Sequence, residues 1–221
     1  MDLLIVAATA LELQPTIAHL KSRWIENDDG SHTLGDLTVR VVITGPGLMR
    51  MAMALSNVLT TTQPKLCINA GIGGAFPGKF ELGDVVHVTR EICADLGAED
   101  AQGHFLSLSE MGLEEDLNTQ LLTNASAGQF TFLPTALGIS VNTTSGTSRR
   151  IAQMIERYDP DVESMEGAAF FYTCLKYGVE FLQLRAISNI VEPRDRSKWE
   201  IDKAIEYLNR QVLQILSLLR G

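Results

Sequence analysis

The 221-residue sequence has no apolar run longer than a buried strand, so no helical membrane span is expected. It has no Pro-, Gly- or Ser-rich stretch to divide it, and one hydrophobic core suffices at this length, so a single domain over residues 1–221 is expected. Cysteine is scarce: Cys67, Cys93 and Cys174 lie far apart, lack metal-ligand spacing and cannot all pair. Free thiols in a reducing cytoplasm are the expectation. The four histidines, His19, His32, His87 and His104, have no ligand spacing either, so no metal site is expected. Positive charge is in deficit, with 18 Lys and Arg against 27 Asp and Glu. The resulting net charge of -9 opposes extended contact with nucleic acid or an anionic membrane, since both repel it at long range. A small ligand stays open, because the field inside a pocket can differ from that of the whole surface. The opening Met1-Asp2-Leu3-Leu4-Ile5-Val6 carries an acid and lacks the basic segment of a signal peptide, so it reads as a first strand.

Short apolar runs alternate with helical patterns. Residues Leu3 to Ala8 form a strand, and Glu12 to Leu20 a helix with Pro15 in its first turns, where a missing amide hydrogen is tolerated. Val39 to Thr44 is a second strand, closed by Gly45-Pro46-Gly47 and followed by a helix over Leu48 to Leu59. A third strand, Leu66 to Ala70, runs into the glycines of Gly71-Ile72-Gly73-Gly74. Further strands are expected at Asp84 to Ile92, Gly138 to Asn142, Asp161 to Ser164 and Phe181 to Asn189. Helices are expected at Ser148 to Tyr158, Glu166 to Lys176 and Lys198 to Leu219. This order predicts an α/β fold of three layers, a twisted, mixed and largely parallel central sheet with helices on both faces. The acidic stretch from Glu110 to Asp116 is too short for a tail and reads as a solvated face or a helix start.

Ligands of such sheets collect outside the carboxyl ends of the strands, where loops and helix N-termini converge. Four segments there carry polar residues. Ala8-Thr9-Ala10-Leu11-Glu12 puts a carboxylate in the first helical turn, where the helix dipole alone would favour it. Asn69-Ala70-Gly71-Ile72-Gly73-Gly74 lets backbone approach a ligand, or is simply a tight turn. Glu163-Ser164-Met165-Glu166-Gly167-Ala168 delivers Glu166 to a helix start, where a carboxylate can hold two sugar hydroxyls. Arg185-Ala186-Ile187-Ser188-Asn189 ends a buried strand in polar groups that an apolar sheet does not hold without a use for them, unless Arg185 is merely paired to a carboxylate.

Together these four segments resemble the nucleoside phosphorylase and nucleosidase superfamily, over nearly the whole chain. Methylthioadenosine and adenosylhomocysteine nucleosidases have a comparable early Glu and a Met-Glu pair, but their strand ends in Ser-Asp, where this chain has Ser188-Asn189. The Asn189 ending, the run from Glu192 to Trp199 and the run from Asp95 to Asp100 are similar to the futalosine hydrolase family of the menaquinone pathway. That resemblance implies a hypoxanthine nucleoside with a benzoate-bearing 5′ side chain as substrate, a homo-oligomer of two or more subunits, and no cofactor.

On this resemblance Glu12 takes a proton from the attacking water and Asn189 meets the mixed donor and acceptor edge of a 6-oxopurine. Gly71, Ile72, Gly73, Met165, Glu166, Arg185 and Ser188 form the substrate-binding set. Arg194 and Arg196 offer guanidinium groups to a benzoate carboxylate, or else pair with Asp195 and Glu192 on a solvated loop. The competing readings are a purine nucleoside phosphorylase, with Arg40 or Arg50 on phosphate, and a nucleoside-binding module without turnover. A nicotinamide enzyme is also conceivable from the α/β order, but its glycine fingerprint and downstream acid are not recognisable.

Overall fold

A computed structural model of the chain describes residues 1–113, 119, 121–124 and 132–220. Its elements, in chain order, are β1 (Leu3–Ala7), α1 (Gln14–Arg23), β2 (Ile25–Glu26), β3 (His32–Leu34), β4 (Leu37–Ile43), α2 (Leu48–Leu59) and β5 (Leu66–Ala75). Then come β6 (Val85–Cys93), β7 (Gly97–Glu99), β8 (Phe105–Ser107), β9 (Leu122–Thr123), β10 (Thr135–Ser140) and α3 (Ser148–Tyr158). The chain closes with β11 (Val162–Ser164), α4 (Gly167–Tyr177), β12 (Phe181–Ile190) and α5 (Ile201–Leu219).

One sheet runs β11-β10-β6-β12-β5-β1-β4-β3-β2, with β9 on the flank of β6. The pairs β1–β4, β1–β5, β5–β12, β6–β10 and β10–β11 are parallel, while β12 and β6 run antiparallel, so the sheet is mixed as expected. Strand β1 shows why three layers form. Its side chains alternate between faces. Leu3, Ile5 and Ala7 pack with Leu208, Val212 and Ile215 of α5 on one face. Leu4 and Val6 pack with Met51 and Leu55 of α2 and Phe170 of α4 on the other. A smaller cluster joins Ile139 of β10 to Ile151 and Met154 of α3.

Five details differ from expectation, the last helix first: α5 begins at Ile201 rather than Lys198. Helix α1 begins at Gln14, so Glu12 lies in the preceding turn rather than in the helix, with Pro15 at the helix start. Strand β5 does not stop at Ala70 but continues through its glycines to Ala75, paired with β12 along the way. Strand β10 is displaced towards the N-terminus, ending at Ser140. The hairpins β2–β3 and β7–β8 are too short to show periodicity in the sequence. Of the acidic stretch, residues 114–116 lie outside the described residues; Glu110 accepts hydrogen bonds from the amide and hydroxyl of Ser107 at 2.8 Å each and is ion-paired with Arg157. Among the described residues no helix is long and apolar enough to cross a membrane.

Candidate active site

The ends of β1, β5, β11 and β12 open into one cavity of about 410 Å³, lined among others by Thr9, Glu12, Ile72, Gly73, Glu163, Met165, Glu166, Ser188 and Asn189. That volume suits a small-molecule site. The four sequence segments thus converge on one place.

Glu12 is held there by three donors. Its Oε2 accepts from the Thr9 amide at 2.8 Å and the Thr9 hydroxyl at 2.9 Å, and its Oε1 from the Ile72 amide at 3.1 Å. The carboxylate is 7% exposed, so the amides replace most of the water it has lost. Glu166, in the cap position of α4, accepts at Oε1 from the Gly47 amide at 2.9 Å and is 8% exposed. Behind both stands Arg185, 1% exposed. Its Nη1 donates to the Leu184 carbonyl at 3.0 Å, and its Nη2 lies 4.0 Å from Glu166 Oε2. Nε and Nη2 have no hydrogen-bond partner among the described residues.

The glycines of β5 explain how these groups meet. A Cβ on Gly71 would sit 3.0 Å from Glu12 Oε1 and 3.2 Å from Arg185 Nη1, and a Cβ on Gly74 would sit 2.8 Å from Asn189 Nδ2. Neither glycine has a positive φ. They are therefore small to leave room for side chains crossing the sheet, and they form no phosphate-type turn.

The polar end of β12 is set by a bulge. The register with β5 slips between Ile187 and Asn189, which leaves Ser188 as the extra residue. The Ser188 hydroxyl lies 3.2 Å from the Gly73 carbonyl and 2.9 Å from Asn189 Oδ1, while Asn189 Nδ2 donates to the Ile190 carbonyl at 3.2 Å. The Asn189 amide thus lines the cavity with its oxygen accepting from Ser188 and its nitrogen donating to Ile190.

Two further buried acids were not singled out in the sequence as site groups. Glu163 lines the cavity and accepts from the Ser145 amide at 2.8 Å and hydroxyl at 2.6 Å. Burial pushes its pKa up, the Ser145 bonds resisting. Glu91, wholly buried in β6, lies behind the cavity wall, and desolvation raises its pKa to about 7 against the opposing pull of Arg185. Little in the sequence marked Glu91, since its strand, Val85–Cys93, also carries His87, Thr89 and Arg90.

The mouth is of another kind. Arg194 and Trp199 line it with Leu11, Ile201 and Ile205, and the Arg194 guanidinium lies 5.1 Å from the Trp199 ring centre. Arg196 lies 5.7 Å from the same ring but does not line the cavity. Lys198 pairs with Glu192 at 2.8 Å, and Asp195 accepts from the Ser197 amide and hydroxyl, so neither acid engages Arg194 or Arg196 in a hydrogen bond. Of the expected substrate-binding set, Gly71, Arg185 and Arg196 do not line the cavity; the first two support it from beneath. Arg40 and Arg50 do not line it either.

A family model described as the phosphorylase superfamily matches residues 2–220. The chain is 32% identical over 184 residues to futalosine hydrolase of Thermus thermophilus, covering 79% of each chain. It is 35% identical over 159 residues to futalosine hydrolase of Streptomyces coelicolor, covering 71% of this chain and 67% of the relative. In fold it is similar to 5′-methylthioadenosine/S-adenosylhomocysteine nucleosidase of Helicobacter pylori bound to butyl-thio-DADMe-Immucillin-A, with a TM-score of 0.81, 14% identity and 98% of each chain covered.

Proposed function

The chain belongs to the phosphorylase superfamily and, within it, to the futalosine hydrolases, and from that premise we propose that it hydrolyses the N-ribosidic bond of futalosine in menaquinone biosynthesis, releasing hypoxanthine and the dehypoxanthinyl sugar. One observation carries the reading. Glu12, Glu163, Glu166, Glu192 and Asp195 all line the cavity, against Arg194 as its one lining guanidinium among the described residues. Cleavage builds positive charge on the ribose, which such a field stabilises in the transition state more than in the ground state. The same field repels phosphate, which favours water as the nucleophile.

In this mechanism Glu12, already fixed by three donors, accepts the proton of the water attacking the anomeric carbon. Glu166 holds the ribose hydroxyls and tightens that hold as the ring becomes cationic, while Met165 covers the sugar. Arg185 balances the two carboxylates from beneath and directs its open Nη2 towards Glu166. Asn189, oriented by Ser188, meets the 6-oxopurine edge, and its amide donates to the ring nitrogen on which leaving-group charge collects. Arg194, over Trp199 at the mouth, binds the benzoate carboxylate. The exposed Met49 and Met53 of α2 lie on the face we assign to a homo-oligomer contact, at which a second subunit completes the pocket.

Incubation with futalosine in phosphate-free ¹⁸O-water tests the chemistry. Hypoxanthine release with the label on the anomeric oxygen of the sugar is expected. A requirement for phosphate, with a sugar phosphate as product, would make the chain a phosphorylase instead.

A further inference from the structure

Beneath the cavity lies a polar layer that the mechanism leaves unused. Glu91 Oε2 accepts from Gln183 Nε2 at 2.6 Å, and Gln183 Oε1 accepts in turn from Asn69 Nδ2 at 2.9 Å. Glu91 Oε1 accepts from the Ser140 hydroxyl at 2.8 Å, and that hydroxyl oxygen accepts from the Ala168 amide at 2.8 Å. Ala168 is in the first turn of α4, directly after Glu166 and Gly167. The layer therefore runs from β5 through β12, β6 and β10 to an amide at the start of α4.

Contact is as close as hydrogen bonding. A Cβ on Gly167 would lie 2.6 Å from Glu91 Cδ and 2.7 Å from Gln183 Nε2, and a Cβ on Gly138 2.9 Å from Glu91 Cδ. Both positions are glycine because the carboxyl occupies the space a side chain would take. The start of α4 can sit this deep only because Gly167 is bare, and it is held there by the Ser140 relay. Glu166 caps that same turn, so a shift of the turn moves the carboxylate assigned to the ribose hydroxyls.

We propose that Glu91 is a positioning residue for ribosidic-bond hydrolysis, fixing the first turn of α4 through Ser140 and Gly167 and thereby the Glu166 carboxylate. This rests on the hydrolase reading above. Its role is mechanical, exerted through hydrogen bonds and packing. The charged groups around it are consistent: Arg185 on β12 and Glu166 at α4 act on it with opposite sign, while β10 and β5 present the neutral Ser140 and Asn69. Burial raises its pKa to about 7 against the pull of Arg185.

The test is steady-state kinetics of Glu91→Gln, Glu91→Ala and Ser140→Ala, referred to folded protein by circular dichroism and melting. Glu91→Ala is expected to lower kcat about tenfold with KM changed less than about threefold, since misplacing Glu166 weakens a hold that is strongest in the transition state. Glu91→Gln keeps the shape, and turning over the Gln183 and Asn69 amides restores every hydrogen bond, so it should return kcat to within about threefold of the parent. Ser140→Ala cuts the relay without touching the acid, and should reproduce part of the loss. Folded Glu91→Ala with kcat within about twofold of the parent would overturn the proposal. Should Glu91→Ala fail to fold, a parental kcat for Ser140→Ala overturns it equally. The constants are taken on whichever of futalosine, inosine and methylthioadenosine the parent cleaves best. A parent that cleaves only another nucleoside contradicts the futalosine reading while leaving Glu91 measurable, and a parent that cleaves none contradicts both.

Discussion

The two ends of the cavity are built on opposite plans. At the deep end, Glu12, Glu166 and Arg185 are all under 10% exposed and are held by backbone amides, glycine gaps and one another. At the mouth, Arg194 is exposed and lies against the Trp199 ring, with the exposed Arg196 near the same ring outside the cavity lining. On the proposed mechanism the difference separates two tasks. The groups assigned to developing charge are fixed and desolvated before the substrate arrives, where electrostatics are strongest. The group assigned to the distant substituent sits where solvent and loop geometry leave it adjustable.

If that division is right, the largest effect belongs to the deep end. Glu12→Gln keeps the shape but removes the base, and kcat for futalosine should fall by about 10² to 10⁴ with little change in KM. An equal fall in affinity would move Glu12 out of the chemistry. Asn189→Asp comes next. A carboxylate there suits an exocyclic amino group, so the ratio of kcat/KM for hypoxanthine over adenine nucleosides should drop by tenfold or more, roughly the weight of one unpaired buried polar group. An unchanged ratio removes Asn189 from base selection. Arg194→Ala tests the mouth. It should raise KM for futalosine about tenfold, leave kcat near the parent value, and not affect inosine, which has no carboxylate to lose. A loss shared by both nucleosides would place Arg194 in the scaffold instead.

The smallest effect is on stability. Glu91 titrates at about 7 in the folded protein against an ordinary value of 4.5, so the fold binds its proton more tightly than the unfolded chain does. Its stabilising contribution is whole below pH 4.5 and is lost as pH rises through 7. Glu91→Gln does not titrate. Relative to the parent it should gain stability between about pH 5 and about pH 8, by at most about 3 kcal/mol, as measured by denaturant unfolding. A pH-independent difference would mean that Glu91 keeps an ordinary pKa.

The deep end was more legible in sequence than the layer beneath it. Glu12 follows the apolar strand β1 and Ser188-Asn189 close the apolar run of β12, so position marked them, whereas Glu166 follows the short and polar β11 and was marked by its place at a helix start. The glycines after Ala70 were harder. Glycine reads as a turn locally, yet here β5 runs on to Ala75, and the missing side chains make room for Glu12, Arg185 and Asn189 from elsewhere in the chain. The same argument applies to Gly138 and Gly167, whose reason for being glycine is a carboxyl on another strand. Glu91 and Gln183 are 92 residues apart, and no local period links them. What the sequence did offer was a polar residue inside each of two buried strands, a signal used for Arg185 and passed over for Gln183 two positions earlier. At the mouth, the sequence left Arg194 and Arg196 equivalent. The structure separates them, because only Arg194 lines the cavity.

The most direct test of the central claim is a side-by-side determination of kcat/KM for futalosine, inosine and methylthioadenosine by chromatography of the released base in phosphate-free buffer. The account predicts hypoxanthine from futalosine as the dominant reaction. Preferential release of adenine from methylthioadenosine would contradict it.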